Sequence, residues 1–187
     1  MKKTLRGFTL IELMITISLA AILVTVGVPS FNGLIERNQL TSNINQFVSS
    51  LSVARSEAIK RKEIVALCAS ADGETCSPGS GFENGWIIYV ESVAPRNVRD
   101  VNNEDLIWVQ EALPNGITLT NDSSSNSFLY RSTGRISGGA ARVVLCKDAQ
   151  TDKARALTIN TTGRVHQAEM SANGIPIVSG NEIEDCG

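Results

Sequence analysis

Histidine is almost absent from this chain, which has only one, His166, among 187 residues. A catalytic triad with an imidazole base would have to use it. His166 lies in the predicted strand "GRVHQ", where an exposed or half-buried side chain is the ordinary outcome. The glycine-rich segment "GSGFENG" is not a P-loop, because no Lys-Ser or Lys-Thr pair follows it. No pair of carboxylates stands at a useful spacing either, so we expect neither enzymatic activity nor a cofactor.

A long apolar run stands near the N-terminus. Residues 8–28 contain one charged side chain, Glu12, and this length suffices for a helix that crosses a bilayer. Lys2, Lys3 and Arg6 precede the run, which predicts a cytoplasmic N-terminus. We therefore expect a transmembrane helix over residues 8–28. Glu12 is then either a tolerated interfacial group that reaches the headgroups or a functional group with a partner.

The stretch "RGFTLIELM" resembles the class III signal of type IV pilins and pseudopilins. The resemblance implies a leader over residues 1–7, which a prepilin peptidase removes by cutting after Gly7. It also implies N-methylation of the new first residue, Phe8, a role for Glu12 in assembly, and a helix kink at Pro29. The implied partners are other major and minor pilins, contacted through the N-terminal helix, the prepilin peptidase and an inner-membrane assembly platform.

The charge of Glu12 has a physical explanation in such an assembly. Removal of the leader would give Phe8 a free α-amine, which is cationic near neutral pH. In lipid, an amine and a carboxylate are better paired than alone. Packed subunits could therefore pair the Phe8 amine of one copy with Glu12 of its neighbour, which would fix the register of docking.

After the apolar run, a stripe of apolar residues recurs at spacings of three and four, which is typical of an amphipathic helix. We predict one helix from about Thr9 to Arg61, kinked near Pro29, whose amphipathic part covers residues 29–61 and packs on a folded domain. The stripe consists of Leu40, Ile44, Phe47, Val48, Leu51, Ala54, Ala58 and Ile59.

From residue 62 to residue 187 the helical period disappears. Short runs rich in β-branched and aromatic residues alternate with turn residues, which predicts antiparallel strands. The fold class is therefore α+β, with the long helix packed on an antiparallel β-sheet domain, as in the pilin fold that the signal implies. The segment "ESVAPRNVRDVNNED" lacks any pattern and is expected to be an exposed loop with a solvated charged surface.

Four cysteines, an even number, fit an exported domain with two disulfides, for which three connectivities are possible. Cys68 and Cys76 flank a turn-rich segment, which favours a local bridge between them and leaves Cys146 for Cys186. A zinc site is the alternative, but the spacing of Cys68 and Cys76 is not that of a zinc motif and one histidine is available. We expect no metal.

The segments "FLYRSTGRI" and "LTINTTGRV" both read as a strand, a Ser/Thr-rich turn, Gly-Arg and an apolar residue. Together with "ENGWIIYVE", they resemble the pilin branch that contains the H pseudopilin of type II secretion and the FimU- and FimT-type minor pilins. Some pilins of this branch bind DNA through a C-terminal Gly-Arg-x-Arg. Here Arg164 is present, but His166 stands at the second arginine position.

Charge also argues against DNA binding, which relies on Lys and Arg that neutralise phosphates. The chain has 17 Lys and Arg against 19 Asp and Glu, for a net charge of −2. Loss of the three leader cations changes this to −5. A local patch could still contact DNA, with Arg164 and Arg135 as the first candidates and Arg131 and Arg142 as further members.

These features predict a non-enzymatic minor pilin, a structural subunit that primes or joins the tip complex of a type IV pilus. The alternatives are an H-type pseudopilin of type II secretion and a DNA-binding competence pilin. We expect a single-pass protein of the bacterial inner membrane with a periplasmic domain, which later enters a pilus or pseudopilus.

Overall fold

The computed structural model of the chain describes residues 7–77, 79–92, 98–122 and 126–186, with the side chains of residues 26–32 also outside the description. The leader cations therefore lie outside the described residues, as does the Pro29 side chain, so the predicted kink stays a prediction. The chain divides into two compact units, Met1–Gln39 and Leu40–Gly187. The division falls within the predicted amphipathic segment 29–61.

The described residues form one α-helix, one 3-10 turn at Phe82–Asn84 and a series of short strands. The helix, α1, runs from Leu10 to Arg61. The strands are β1 Val65–Ala69, β2 Trp86–Val90, β3 Leu106–Gln110, β4 Ile117–Asn121, β5 Ser127–Tyr130, β6 Ala141–Lys147, β7 Gln150–Ile159, β8 Val165–Gln167, β9 Glu169–Met170, β10 Pro176–Val178 and β11 Asn181–Glu182.

The first unit contains the start of α1, whose apolar side chains are exposed in the isolated chain. Ala20 and Ala21 lie among them and are exposed as well. Across the described residues, no helix has a stretch both long enough and apolar enough to cross a membrane. The transmembrane helix over residues 8–28 therefore stays a prediction.

In the second unit, one face of α1 is buried against the sheets. Six of the eight predicted stripe residues are almost fully buried, and Val48 packs partly against the same core. Ile59 was wrongly placed in the core: it is 47% exposed because Ala58 takes the inward position beside it. The polar side chain of Asn43, which is not part of the stripe, is also buried. The helix ends at Arg61, and Lys62 adopts a left-handed φ of 61°, a common helix-ending conformation.

The strands form two four-stranded antiparallel sheets that enclose the core together with α1. The first has the order β3-β2-β1-β5, and the second has the order β4-β6-β7-β8. Phe47 of α1 lies at the centre of an aromatic cluster, with ring centroids 5.1 Å from those of Phe82 and Trp86 and 6.2 Å from that of Phe128. The predicted α+β class, with the helix on antiparallel sheet, is confirmed.

A third, small sheet of order β11-β10-β9 lies on the second sheet, beside the core cluster of Val144, Cys146, Ala154 and Ala156. The sequence did not predict β10 and β11. They form a hairpin whose two-residue turn, Ser179-Gly180, has positive φ at both positions, as a type I′ turn requires.

Two disulfides link strands of the two four-stranded sheets to chain segments outside those sheets. Cys68 on β1 is bonded to Cys76, with a Cα–Cα distance of 5.6 Å, and Cys146 on β6 is bonded to Cys186, with a Cα–Cα distance of 5.9 Å. This is the connectivity that the sequence favoured. The second bond fixes the chain that follows β11 to the second sheet.

The prediction that the segment "ESVAPRNVRDVNNED" is an exposed loop with a solvated charged surface is partly wrong. Arg96 lies outside the described residues. Glu104 is 4% exposed, and its carboxylate accepts hydrogen bonds from the backbone N–H groups of Ser92 and Asp100 at 2.8 and 2.9 Å. Arg99 donates to the Glu104 carbonyl at 2.9 Å. A buried carboxylate thus organises this loop, because it satisfies backbone donors that a turn leaves unpaired.

Candidate functional site

The start of α1 is built around Thr9. Residues 7–9 are not helical, and the first helical residue is Leu10. The Thr9 hydroxyl accepts a hydrogen bond from the Glu12 N–H at 3.3 Å, and the Thr9 carbonyl accepts one from the Leu13 N–H at 3.1 Å. Thr9 is therefore the N-cap, and its hydroxyl satisfies one of the N–H groups that the first turn leaves free.

Glu12 occupies the third helical position, so Thr9 and Glu12 have the spacing of a capping box. A carboxylate in the first turn also interacts favourably with the positive end of the helix dipole, by about 0.3–1 kcal/mol at an exposed site. The sequence analysis missed this local role, although the pattern Thr-x-x-Glu before an apolar run was a readable signal. Glu12 thus has a reason to stand here that does not depend on any partner.

Large apolar side chains that are more than half exposed lie on every side of this helix start, interrupted by Glu12, Thr16 and Ser18. A helix surface that is mainly apolar on all sides requires cover from protein or lipid. The exposed side chains include Phe8, Leu10, Ile11, Leu13, Met14, Ile15, Ile17, Leu19, Ile22, Leu23 and Val24.

A second site lies in the other unit, where the two Gly-Arg segments form turns of the same geometry. In the first turn, Gly134 N–H donates to the Arg131 carbonyl at 2.7 Å, and Arg131 N–H donates to the Arg135 carbonyl at 2.9 Å. In the second, Gly163 and Asn160 make the equivalent bonds at 2.8 and 3.0 Å. The two glycines have φ values of 75° and 76°, in the left-handed region that favours glycine.

The two turns pack against each other, and Arg55 of α1 joins them. The Arg55 guanidinium donates to the Gly134 carbonyl at 3.0 Å and to the Thr162 carbonyl at 3.3 Å. A Cβ on Gly163 would overlap the Gly134 carbonyl oxygen, so the backbones are in close contact. Burial raises the pKa of the nearby Tyr130 hydroxyl above its usual range, and the charge of Arg55 acts in the opposite direction. The sequence did not identify Arg55, which carries no local motif.

The structure brings together some of the predicted DNA-contact residues but not all. Arg135 and Arg164 are exposed and follow the two adjoining glycines. Arg131 begins the first turn and donates to the Ser137 hydroxyl at 3.0 Å. Arg142 lies apart from them on β6, two strands from β8. A groove of about 410 Å³ lies between α1 and the second turn and includes Arg164.

Within the described residues, no three His, Cys, Asp or Glu side chains are grouped as metal ligands would be. The four cysteines are joined in disulfides. In the described residues, both sites consist of exposed side chains on a helix start or on tight turns, and such surfaces are suited to binding.

Comparison with known families agrees with this reading. The family of the type II transport protein GspH matches residues 43–163, and the prokaryotic N-terminal methylation motif matches residues 2–28. The first match covers more than half of the chain, so the chain belongs to the GspH family. It is a minor pilin or pseudopilin, of a class of structural subunits that assemble with other pilins.

Two curated relatives match over shorter stretches. A fimbrial protein of Pseudomonas aeruginosa is 33% identical over 70 residues, which is 37% of this chain and 46% of the relative. The prepilin peptidase-dependent protein D of Escherichia coli K12 is 36% identical over 77 residues, which is 40% of this chain and 45% of the relative. The chain thus spans less than half the length of either relative.

Among solved structures, the type IV minor pilin FimU of Pseudomonas aeruginosa PAO1 has the same fold. The TM-score is 0.60 with 18% sequence identity, and the match covers 82% of this chain and 99% of FimU. At this identity the likeness establishes the fold, which is that of a pilin.

Proposed function

We propose that the chain is a minor pilin that primes or joins the tip complex of a type IV pilus. Before assembly it spans the bacterial inner membrane once through residues 8–28, with its folded unit in the periplasm. The observation that carries the proposal is the start of α1, where a mainly apolar exposed surface contains one charged residue, Glu12. Such a surface needs lipid before assembly and other helices afterwards.

The chemistry of assembly follows from this start. Cleavage after Gly7 releases the Phe8 amine, which lies four residues before Glu12 in the chain. The carboxylate of each subunit then pairs with the amine of a neighbour, because both charges are costly when unpaired in an apolar surrounding. Gly7 lies outside the helix, so the peptidase meets non-helical backbone at the scissile bond.

Processing can be tested by Gly7→Glu. A bulky charged residue before the cut should block removal of the leader, whereas the unchanged chain should begin at a methylated Phe8. Mass analysis of the N-terminus in assembled fibres gives the answer. Fibres of the unchanged chain that retain residues 1–7 would contradict the proposal.

Three variants can separate the role of Glu12 in charge pairing from its role in capping the helix. Glu12→Gln removes the charge but retains a side chain that a capping box accepts. Thr9→Val removes the capping hydroxyl but leaves the charge. We expect Glu12→Gln and Glu12→Ala to lower the amount of this subunit in sheared pili strongly, while Thr9→Val incorporates nearly as well as the unchanged chain.

The readout is the amount of subunit in sheared pili, with leader removal and membrane insertion measured alongside. Each Glu12 variant should be inserted and processed normally, because the carboxylate is unfavourable in the membrane. Normal incorporation of Glu12→Gln would overturn charge pairing and restore the reading of Glu12 as a tolerated interfacial group.

A type II secretion pseudopilin is the second candidate, and the GspH family match supports it. Deletion of the gene separates the two functions. Loss of pili and twitching with normal protein secretion supports the pilus, and the reverse outcome supports the pseudopilus.

DNA binding is the third candidate, and the packing of the two Gly-Arg turns supports it, because it places Arg135 and Arg164 on adjoining turns. A DNA surface should give a salt-sensitive mobility shift. Arg135→Ala and Arg164→Ala should each weaken that shift to a similar degree.

A further inference from the structure

The unit Leu40–Gly187 carries two grooves of opposite charge. The first, here called the basic groove, has a volume of about 410 Å³ and lies between α1 and the turn before β8. The second, here called the acidic groove, has a volume of about 380 Å³ and lies between β4 and the β10–β11 hairpin. The strands β4 and β8 are the two edges of one four-stranded sheet, so the grooves are at opposite edges of that sheet.

The basic groove combines cations with apolar walls. Arg55, Arg164 and His166 line it, and none of the described lining residues is a carboxylate. The Arg164 backbone is fixed, because its N–H donates to the Asn160 side-chain oxygen at 3.0 Å. Val48 and the half-exposed Ile59 form apolar parts of the wall. The matching ligand is a carboxylate on a segment with apolar or neutral neighbours.

The acidic groove contains carboxylates on the β10–β11 hairpin and on the segment after it. Its carboxylates include Glu182 and Glu184, both exposed, and Arg142 is the one basic residue among the described residues that line it. The Cys146–Cys186 disulfide holds the hairpin down, and the Thr120 hydroxyl donates to the Cys186 carbonyl at 3.0 Å. The hairpin therefore presents its carboxylates with little loss of conformational freedom on binding.

We propose that the basic groove binds the acidic β10–β11 hairpin of a second copy of this chain. Because the two surfaces lie at opposite sheet edges and differ from each other, the contact is heterologous and each copy retains one free groove. Such a contact joins two copies of the subunit. It goes beyond the helix-mediated assembly and does not depend on whether the fibre is a pilus or a pseudopilus.

Three features favour an acidic protein segment over nucleic acid. The chain has a net charge of −2, which repels a polyanion at longer range. The groove has apolar walls, and among its described lining residues the one aromatic ring is the small imidazole of His166, with no Phe, Tyr or Trp for base stacking. The complementary surface is present on the same chain.

The test is site-specific photo-cross-linking of the full-length chain in membranes. A benzoylphenylalanine in place of Ser56, an exposed residue of the basic groove, should form dimers. Mass spectrometry should locate the cross-link within residues 181–185. Arg164→Glu should reduce this dimer at least fivefold, and so should Glu182→Lys with Glu184→Lys.

A charge exchange distinguishes docking from loss of folding. The chain that carries all three substitutions should cross-link to itself again, but it should not cross-link to the unchanged chain. The matched control is Arg135→Glu, which reverses an exposed arginine in the equivalent turn outside the groove and should leave the dimer intact. Glu12→Gln should also leave it intact, which separates this contact from helix pairing.

Four outcomes would overturn the inference. They are no dimer with the unchanged chain, a cross-link that maps outside residues 181–185, equal loss with Arg135→Glu and Arg164→Glu, and a cross-linked product that nuclease destroys. The last would assign the groove to nucleic acid.

Discussion

Two stretches of α1 are both rich in apolar residues, yet their surroundings differ. Leu10 and Leu23 in the first stretch are about three-quarters exposed, whereas Phe47 and Leu51 in the second are fully buried. In the later stretch the apolar residues form one stripe, and polar residues take much of the rest of the surface. In the earlier stretch they surround the helix. The number of apolar residues therefore does not distinguish a helix that packs on the core of its own domain from one that needs cover from other molecules. The distribution of apolar residues around the helix axis does.

The largest expected effect is the loss of the central aromatic ring of the core. Phe47→Ala removes a fully buried ring in contact with three others, which should lower the free energy of unfolding by about 3–5 kcal/mol. Ile17→Ala is the matched change in the exposed stretch and should leave it unchanged. Urea unfolding followed by the fluorescence of the buried Trp86 measures both.

An Ile17→Ala effect as large as that of Phe47→Ala would break the comparison, because it would mean that the exposed stretch contributes to the same core. A Phe47→Ala cost below about 1 kcal/mol would show instead that the aromatic cluster relaxes around the cavity.

The next effect concerns the two disulfides. Cys146–Cys186 spans 40 residues of sequence and Cys68–Cys76 spans 8. In the chain-entropy model, their removal costs about 4 and about 2.6 kcal/mol. We expect a fragment that begins near Glu36 to fold alone with both bonds formed.

Paired Cys→Ser replacements and urea unfolding of that fragment test the order of these costs, and peptide mapping without reduction tests the pairing. A peptide that links Cys68 to Cys146 would contradict the connectivity. A larger loss on removal of Cys68–Cys76 would contradict the order.

The smallest expected effect is the difference in stability between alanine substitutions in the two glycine turns. Gly163→Ala places a methyl group against the Gly134 carbonyl, whereas Gly134→Ala meets mainly the flexible end of Ile59, and both residues have positive φ. We expect losses of about 2–3 kcal/mol for Gly163→Ala and about 1 kcal/mol for Gly134→Ala. Thermal unfolding of the two variants measures the difference. Equal losses would show that the backbone contact between the turns yields easily.

Much of the fold could be predicted from local pattern. The core face of α1 from Leu40 to Ala58 follows from its periodicity, and β1 to β8 follow from runs of β-branched residues between turn residues. The hairpin β10–β11 was not predicted, because "PIV" and "NE" are too short to show any period. The buried position of Glu104 was not predicted either, since its partners are backbone N–H groups that no side-chain pattern reveals.

The residues of the two candidate sites also differ in whether the sequence alone could identify them. Gly7, Phe8 and Glu12 follow from a contiguous motif, and their roles stay predictions. Arg55 could not be found, because it is separated by 79 and 107 residues from the carbonyl groups that it joins. The contact between the Gly134 and Gly163 turns, which places Arg135 and Arg164 on adjoining turns, also required the structure.

The Cys146–Cys186 disulfide has a consequence for the timing of folding. If the chain is exported from its N-terminus, then Cys68, Cys76 and Cys146 emerge before Cys186, which follows Cys146 by 40 positions. Cys146 then waits as an unpaired thiol, close in time to two others with which it can form the wrong bond. On that route, correct pairing requires that Cys68 and Cys76 be joined to each other before either reacts with Cys146. The chain that follows β11 would then be fixed to the second sheet only after the last cysteine has emerged.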